Sequence, residues 1–314
     1  MPDIYIASCT AGGGIYHYKY NGTTVKEYSF TEMDRPMYLK KHGDRMYAIL
    51  RDPYNTGASA VAVYKIGPDG SLLQKTDEYS TLGSVGCHLA VADKGIFAAN
   101  YISGSVFRTP DLLVTHSGRG THPTRQEAPH VHCTEITPDG KYVCVCDLGV
   151  DKVIVYDLSL NKVSVSETPP GSGPRHITFS ESGREAYLVC ELSSEVIFYD
   201  YSDGVLKQTA KVKALPSDCT DESIAAAIRC NGDYLYTSNR GHDSISVINI
   251  RDRRLITTVP CGGKSPRDFN ITGDTLVCTN ENSGNITFFK LKNGIPERTE
   301  TEIKLNNPLC VVFG

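Results

Sequence analysis

The chain has no apolar run approaching the roughly 18 residues that a membrane-crossing helix needs. It also lacks a basic excess: 32 Lys and Arg stand against 36 Asp and Glu, so there is no electrostatic footprint for nucleic acid. Helical periodicity is absent over any useful length, and no linker or composition shift marks a domain boundary. A Cys-x-x-Cys pair is missing too, although cysteine is plentiful at 11 residues. The cysteines are scattered, odd in number and mostly set in apolar runs such as Tyr142 to Cys146. They read as reduced, packed thiols of a cytoplasmic protein rather than as a disulfide framework. The opening MPDIYIASCT has neither a basic segment nor a long apolar one, so no signal peptide is expected. What remains is a chain of 314 residues, 40% of them hydrophobic, able to bury a sizeable core.

Repetition is the strongest signal present. One segment type recurs as NYISGSVFR, CDLGVDKVIVY, CELSSEVIFY, NRGHDSISVI and NENSGNITFF. Taking the second residue of each, and adding Arg51 from MYAILR, gives Arg51, Tyr101, Asp147, Glu191, Arg240 and Glu281. Their spacings are 50, 46, 44, 49 and 41 residues, the period of a four-stranded propeller blade. Before most of these anchors lies a turn built on Gly140, Gly183, Gly232 or Gly273, and after each an alternating strand such as Val153 to Tyr156. The N-terminal stretch has the later strands of a blade but no opening strand, which Leu309 to Phe313 at the C-terminus resembles. The expectation is an all-β chain forming a single domain over residues 1–314. It is a seven-bladed β-propeller of four antiparallel strands per blade, closed by N- and C-terminal strands in one blade.

Folding each opening hairpin at its Gly turn places Arg175 opposite Glu191, His132 opposite Asp147 and Arg267 opposite Glu281. Ile224 then meets Arg240, Met37 meets Arg51, and His88 lies near Tyr101. One mouth of the channel is thereby ringed by Arg, Glu, His and Asp. Guanidinium forks suit an anionic small molecule, and a carboxylate beside an imidazole can act as base and acid. Cross-strand ion pairs that merely fix register are the plainer reading of each pair alone. That reading explains less well why such pairs gather at one end with His132.

Other features carry less. His130-x-His132 has no matching ligand pair, so no metal is expected, and no cofactor. Gly12 to Gly14 is followed by neither Lys-Ser/Thr nor a helix, so it is no phosphate loop. Cys133, Cys190 and Cys278 lie in strands and read as packing. The sequons at Asn21 and Asn285 carry no meaning in a cytoplasmic chain.

APHVHCTEITPDGKYVCVCDLGVDKVIVY (from Ala128) and GPRHITFSESGREAYLVCELSSEVIFY (from Gly173) resemble the lactonase family of seven-bladed propellers. That family includes 6-phosphogluconolactonases and carboxymuconate lactonizing enzymes. The stretches SNRGHDSISVI and SPRDF are also family-like, and the resemblance is weaker in the first two blades. It implies a functional set of His132 (or His130), Arg175, Glu191, and Arg267 or Arg240. His176, Asp147, Glu281 and His88 are further candidate contacts. Departures are Asp268, where a His-like residue is expected, and an opening strand at Ile224 that offers nothing polar.

The resemblance implies metal-independent hydrolysis of a sugar δ-lactone, foremost 6-phosphoglucono-1,5-lactone. The alternatives are a carboxymuconate cycloisomerase, or a non-catalytic propeller that binds anions or proteins. The expected partner is a small anionic sugar lactone or carboxylate, with neither nucleic acid nor membrane, and the chain is expected as a monomer or weak dimer.

Overall fold

The computed structural model describes residues 2–314. Seven four-stranded antiparallel sheets surround a channel. The innermost strands are Pro308–Phe313, Pro36–His42, Gly86–Ala92, Val131–Ile136, Pro174–Phe179, Ile224–Asn231 and Pro266–Thr272. The first blade is the composite one: Pro308–Phe313 pairs antiparallel with Asp3–Ser8, placing Ile4 opposite Phe313 and Ala7 opposite Cys310. The ring therefore closes through the sheet itself, as the split repeat implied, and hydrogen bonds cover the edge that each terminus would otherwise expose.

Packing explains why the second strand of each blade shows no alternation. Tyr142–Asp147 and Glu185–Cys190 are buried at every residue but the first, because a neighbouring blade covers each face. The apolar core is accordingly seven clusters, one at each junction between blades. Cys133, Cys144, Cys146 and Cys190 fill one of them, and all the cysteines are free thiols. Outermost strands such as Lys162–Glu167 have water on one side and return to a polar alternation. The hairpin glycines Gly140, Gly183, Gly232 and Gly273 take φ between +56° and +68°, the left-handed region that a side chain resists.

The innermost hairpins do not pair residue for residue, and this corrects the register expected from the sequence. In every blade the pairing skips part of the innermost strand. It passes over Leu309, Met37, Cys87, His132, Arg175 and Arg267 in six blades, and over Ala226 and Ala227 in the sixth. Asp147 stands opposite Val131, and Cys190 opposite Pro174; only Ile224 and Arg240 face each other as expected. A β-bulge holds one residue out of the ladder and re-aims its side chain. Seven of them at one level turn a ring of backbone irregularities into a ring of inward-pointing groups.

Candidate active site

The bulged residues Met37, Cys87, His132, Arg267 and Leu309 line a cavity of about 340 Å³ at one mouth of the channel. The ends of the second strands supply Arg51, Tyr101, Glu191, Arg240 and Glu281, and the loop 116–130 supplies Arg125. The volume lies within the usual range for small-molecule sites.

Glu191 is the centre of the charge arrangement. Its side chain is 2% exposed, and its Oε2 accepts from Arg175 Nε at 2.9 Å and from Arg240 Nη2 at 2.7 Å. Its Oε1 accepts from Arg125 Nη2, which also reaches the Tyr101 hydroxyl at 3.3 Å. Burial works against the charge on Glu191, but Arg240, Arg175 and Arg125 overcome it. The carboxyl is held well below its ordinary range. Arg175 lies beneath the cavity, with Nη1 donating to the Ala226 carbonyl at 2.7 Å. The strand at Ile224 offers nothing polar for this reason: its alanines leave room for a guanidinium, and its backbone supplies the acceptor. Burial and the nearby Arg240 depress Arg175 to about 9, so it still carries its proton at neutral pH.

Burial, then the charge of Arg175, hold His132 well below the ordinary imidazole range, so the ring is neutral. Its Nδ1 is buried without a hydrogen-bond partner. Arg267 stands with its Nη1 3.4 Å from Glu281 Oε2, and both are partly exposed. Five guanidinium groups thus meet two carboxylates around the cavity, leaving it positive. Cys87 also lines it, but burial pushes its thiol up to about 12, far from thiolate character at neutral pH.

Of the residues singled out in the sequence, His132, Arg175, Glu191, Arg240, Arg267 and Glu281 come together here. Asp147 does not, and its expected contact role is corrected. It is fully buried, and its oxygens accept from His116 Nδ1 at 2.6 Å, His130 N at 2.8 Å and Gly149 N at 3.0 Å. His130 stacks on Tyr101 with centroids 4.5 Å apart, behind the cavity wall rather than in it. His88 and His176 sit deeper, where His88 packs 4.1 Å from Tyr38 and 4.9 Å from His176. With His132, 5.3 Å from His176, they form an aromatic floor across the channel.

Below that floor lies a second cavity of about 390 Å³, lined in part by Tyr38, Lys40, Glu135 and Arg229. Two of its cations already have partners: Arg229 meets Asp268 at 2.7 Å, and Lys40 meets Glu135 at 3.6 Å. Asp268, out of place as a His substitute in the sequence, is explained by that pair.

Arg125 was missed by the sequence reading. It sits on a segment with no strand pattern, and only its place just before APHVH hinted at a role. Gln126 locks the loop: its Oε1 accepts from Thr121 N at 3.0 Å and His122 N at 2.9 Å. Its Nε2 donates to Leu148 O at 2.8 Å and Asp151 Oδ1 at 2.7 Å.

Comparison with known proteins covers the whole chain. The family described as "Lactonase, 7-bladed beta-propeller" matches residues 3–313. The chain belongs to the lactonase family. A 6-phosphogluconolactonase of Bacillus subtilis is 33% identical, covering 98% of this chain and 97% of its own. Among solved structures, a putative 6-phosphogluconolactonase of Bacteroides fragilis superposes with a TM-score of 0.89 at 27% identity, covering 100% of this lactonase-family chain and 98% of its own. A periplasmic gluconolactonase of Pseudomonas aeruginosa gives 0.88 at 26%, covering 99% and 98%. No helix in the described residues of this family member is long and apolar enough to cross a membrane.

Proposed function

We propose that the chain hydrolyses a sugar δ-lactone without metal in the reaction, with 6-phosphoglucono-1,5-lactone as substrate and 6-phosphogluconate as product. The observation that carries this reading is the pairing of a neutral His132 with a Glu191 held ionised by three arginines at one positive cavity. A carboxylate so clamped is a poor base near neutral pH, whereas an unprotonated imidazole can take a proton. His132 removes a proton from water as the oxygen attacks the lactone carbonyl. The carbonyl oxygen gains charge against Arg240 and Arg125, donors fixed in advance by Glu191. The intermediate collapses, the bond to the ring oxygen breaks, and the imidazolium returns the proton to that oxygen. Arg267 and Arg51, on the cavity wall, suit the phosphate through fork geometry. Glu191 and Arg175 act as positioning residues.

The similarity to the Bacillus subtilis 6-phosphogluconolactonase supports the phosphorylated substrate, and the excess of guanidinium groups supports an anion. The eleven free cysteines, nine of them buried, fit a reducing cytoplasm, and a monomer or weak dimer is the form we assign. The test is hydrolysis of freshly generated 6-phosphogluconolactone against its spontaneous rate. Unphosphorylated gluconolactone and a carboxymuconate serve as comparison substrates. Turnover of the carboxymuconate alone would replace this reading with cycloisomerisation. Turnover of none of the three would leave a binding propeller.

A further inference from the structure

Outside the cavity, one cluster of ligand-type side chains is drawn together without any hydrogen bond or ion pair among its own members in the described residues. Cys219 and Asp221, on the loop 214–223, and His242, on the turn after Arg240, bring one ligand atom each to within 4.8 Å of one another. We propose that these three residues bind a Zn²⁺-class cation, which clasps this loop to the turn that carries Arg240.

The first support is what the cluster does not do. No hydrogen bond or ion pair joins the three side chains among the described residues, so their approach satisfies none of them. Their proximity suits a bridging ion. Tetrahedral Zn²⁺, with bonds near 2.0–2.3 Å, sets its ligand atoms roughly 3.3–3.8 Å apart, inside the 4.8 Å within which these three lie.

The loop itself supplies the second support. Between 215 and 222 its one backbone bond within the loop runs from Cys219 N to Pro216 O, at 3.1 Å. The side chains that hold its base belong to Ser194, Ser223 and Ser246. That single bond is all that fixes the tip from within.

Third, His242 is prepared for ligation. Its Nδ1 lies 2.7 Å from Ser244 Oγ, which also accepts from Asn239 Nδ2 at 3.0 Å. Metal-bound imidazoles are oriented by such a bond on the other ring nitrogen. The mixed thiolate, carboxylate and imidazole set selects a borderline-soft ion over Mg²⁺ or Ca²⁺, and three protein ligands leave a fourth position for water. On binding, the Cys219 S–H breaks, sulfur bonds the metal, and the proton passes to solvent.

The position gives the site its consequence. Gly241, between Arg240 and His242, has φ +97°, and a Cβ there would stand 2.2 Å from Glu222 O, so loop and turn already touch. A metal at His242 fixes the turn two residues from the guanidinium that grips Glu191.

Cys219 and Cys230 are the two cysteines that are not buried, which makes native-state thiol labelling a clean readout. The full chain, stripped with a chelator, is labelled with and without equimolar Zn²⁺, and modified peptides are quantified. Zn²⁺ is expected to slow labelling of Cys219 at least tenfold and to leave Cys230 unchanged. Co²⁺ is expected to give a thiolate charge-transfer band that Cys219→Ser abolishes, with His242→Gln weakening binding at least tenfold. Equal labelling of Cys219 in both conditions overturns the proposal, as does a Co²⁺ band that survives His242→Gln and Asp221→Asn together. Should Cys219→Ser not fold, those two variants carry the test. Its outcome is independent of any lactone assay.

Discussion

Arg175 donates from Nε to Glu191 Oε2 at 2.9 Å, and both side chains are 2% exposed. Neither is free to meet a ligand first. The pair is a foundation on which Arg240 and Arg125 are held toward the cavity. Glu191→Gln removes the negative charge and leaves three guanidinium groups facing one another. Breaking a buried ion pair from one side costs about 3–5 kcal/mol. Urea unfolding should show a loss of that order with unchanged m-value, together with lost turnover. Stability within about 0.5 kcal/mol of the parent, a surface-like effect, would contradict the clamp.

His132→Asn tests the base. The ring accepts no structural hydrogen bond at Nδ1, so the fold should tolerate the change. Turnover of 6-phosphogluconolactone should fall roughly 10²- to 10⁴-fold, as loss of general catalysis does. Melting temperature is the control that separates chemistry from unfolding. Full activity in a stable variant would move the base elsewhere.

Gln126→Leu should unlock the loop that presents Arg125 and leave the sheets intact. The backbone N–H groups of Thr121 and His122 lose their acceptor. We expect kcat/KM to fall at least tenfold, chiefly through kcat, with proteolytic cleavage appearing between residues 116 and 130. A variant with an unchanged kcat would show that Arg125 needs no such support.

Two of the buried imidazoles, His132 and His176, make stability depend on pH. Burial, then Arg175, holds both His132 and His176 well below the ordinary range, so the native state stays unprotonated while the unfolded chain gains protons below about pH 6.5. The unfolded state then binds more protons, and stability rises with pH through that window. Each group contributes a slope of up to about 1.4 kcal/mol per pH unit below it. The Glu191 contribution has the same sign at lower pH: it is present above the ordinary carboxylate pKa and lost as pH falls through the depressed one. His176→Gln should reduce the histidine slope in a urea series from pH 7.5 to 5. A slope unchanged by that substitution would refute the assignment.

Deleting 309–314 removes the innermost strand of the composite blade. It exposes the edge of Asp3–Ser8 and opens the ring, so the product should aggregate or lose its cooperative melt. A soluble truncation with the parental melting temperature would contradict closure by that strand.

The sequence by itself determined the blade count, the four-strand unit and the closure by both ends. Those follow from local rules: alternation within a strand, glycine at a left-handed turn, and recurrence at blade spacing. It also placed His132, Arg175, Glu191, Arg240 and Arg267 near one mouth, because residues flanking an innermost hairpin must emerge at the same end. What tertiary structure decided was which of them face the cavity. The skipped residue in each innermost hairpin moves Asp147 opposite Val131 and leaves His88 and His176 in the floor beneath the cavity. Turn counting cannot see a bulge, since an unpaired residue leaves no mark on the alternation. Arg125 was equally hidden. It reaches Glu191 across 66 residues of sequence, from a loop whose path is set by Gln126 and by the walls of the fourth blade. Local pattern fixes each sheet. Only closure of the ring brings three guanidinium groups from separate segments within reach of one carboxylate.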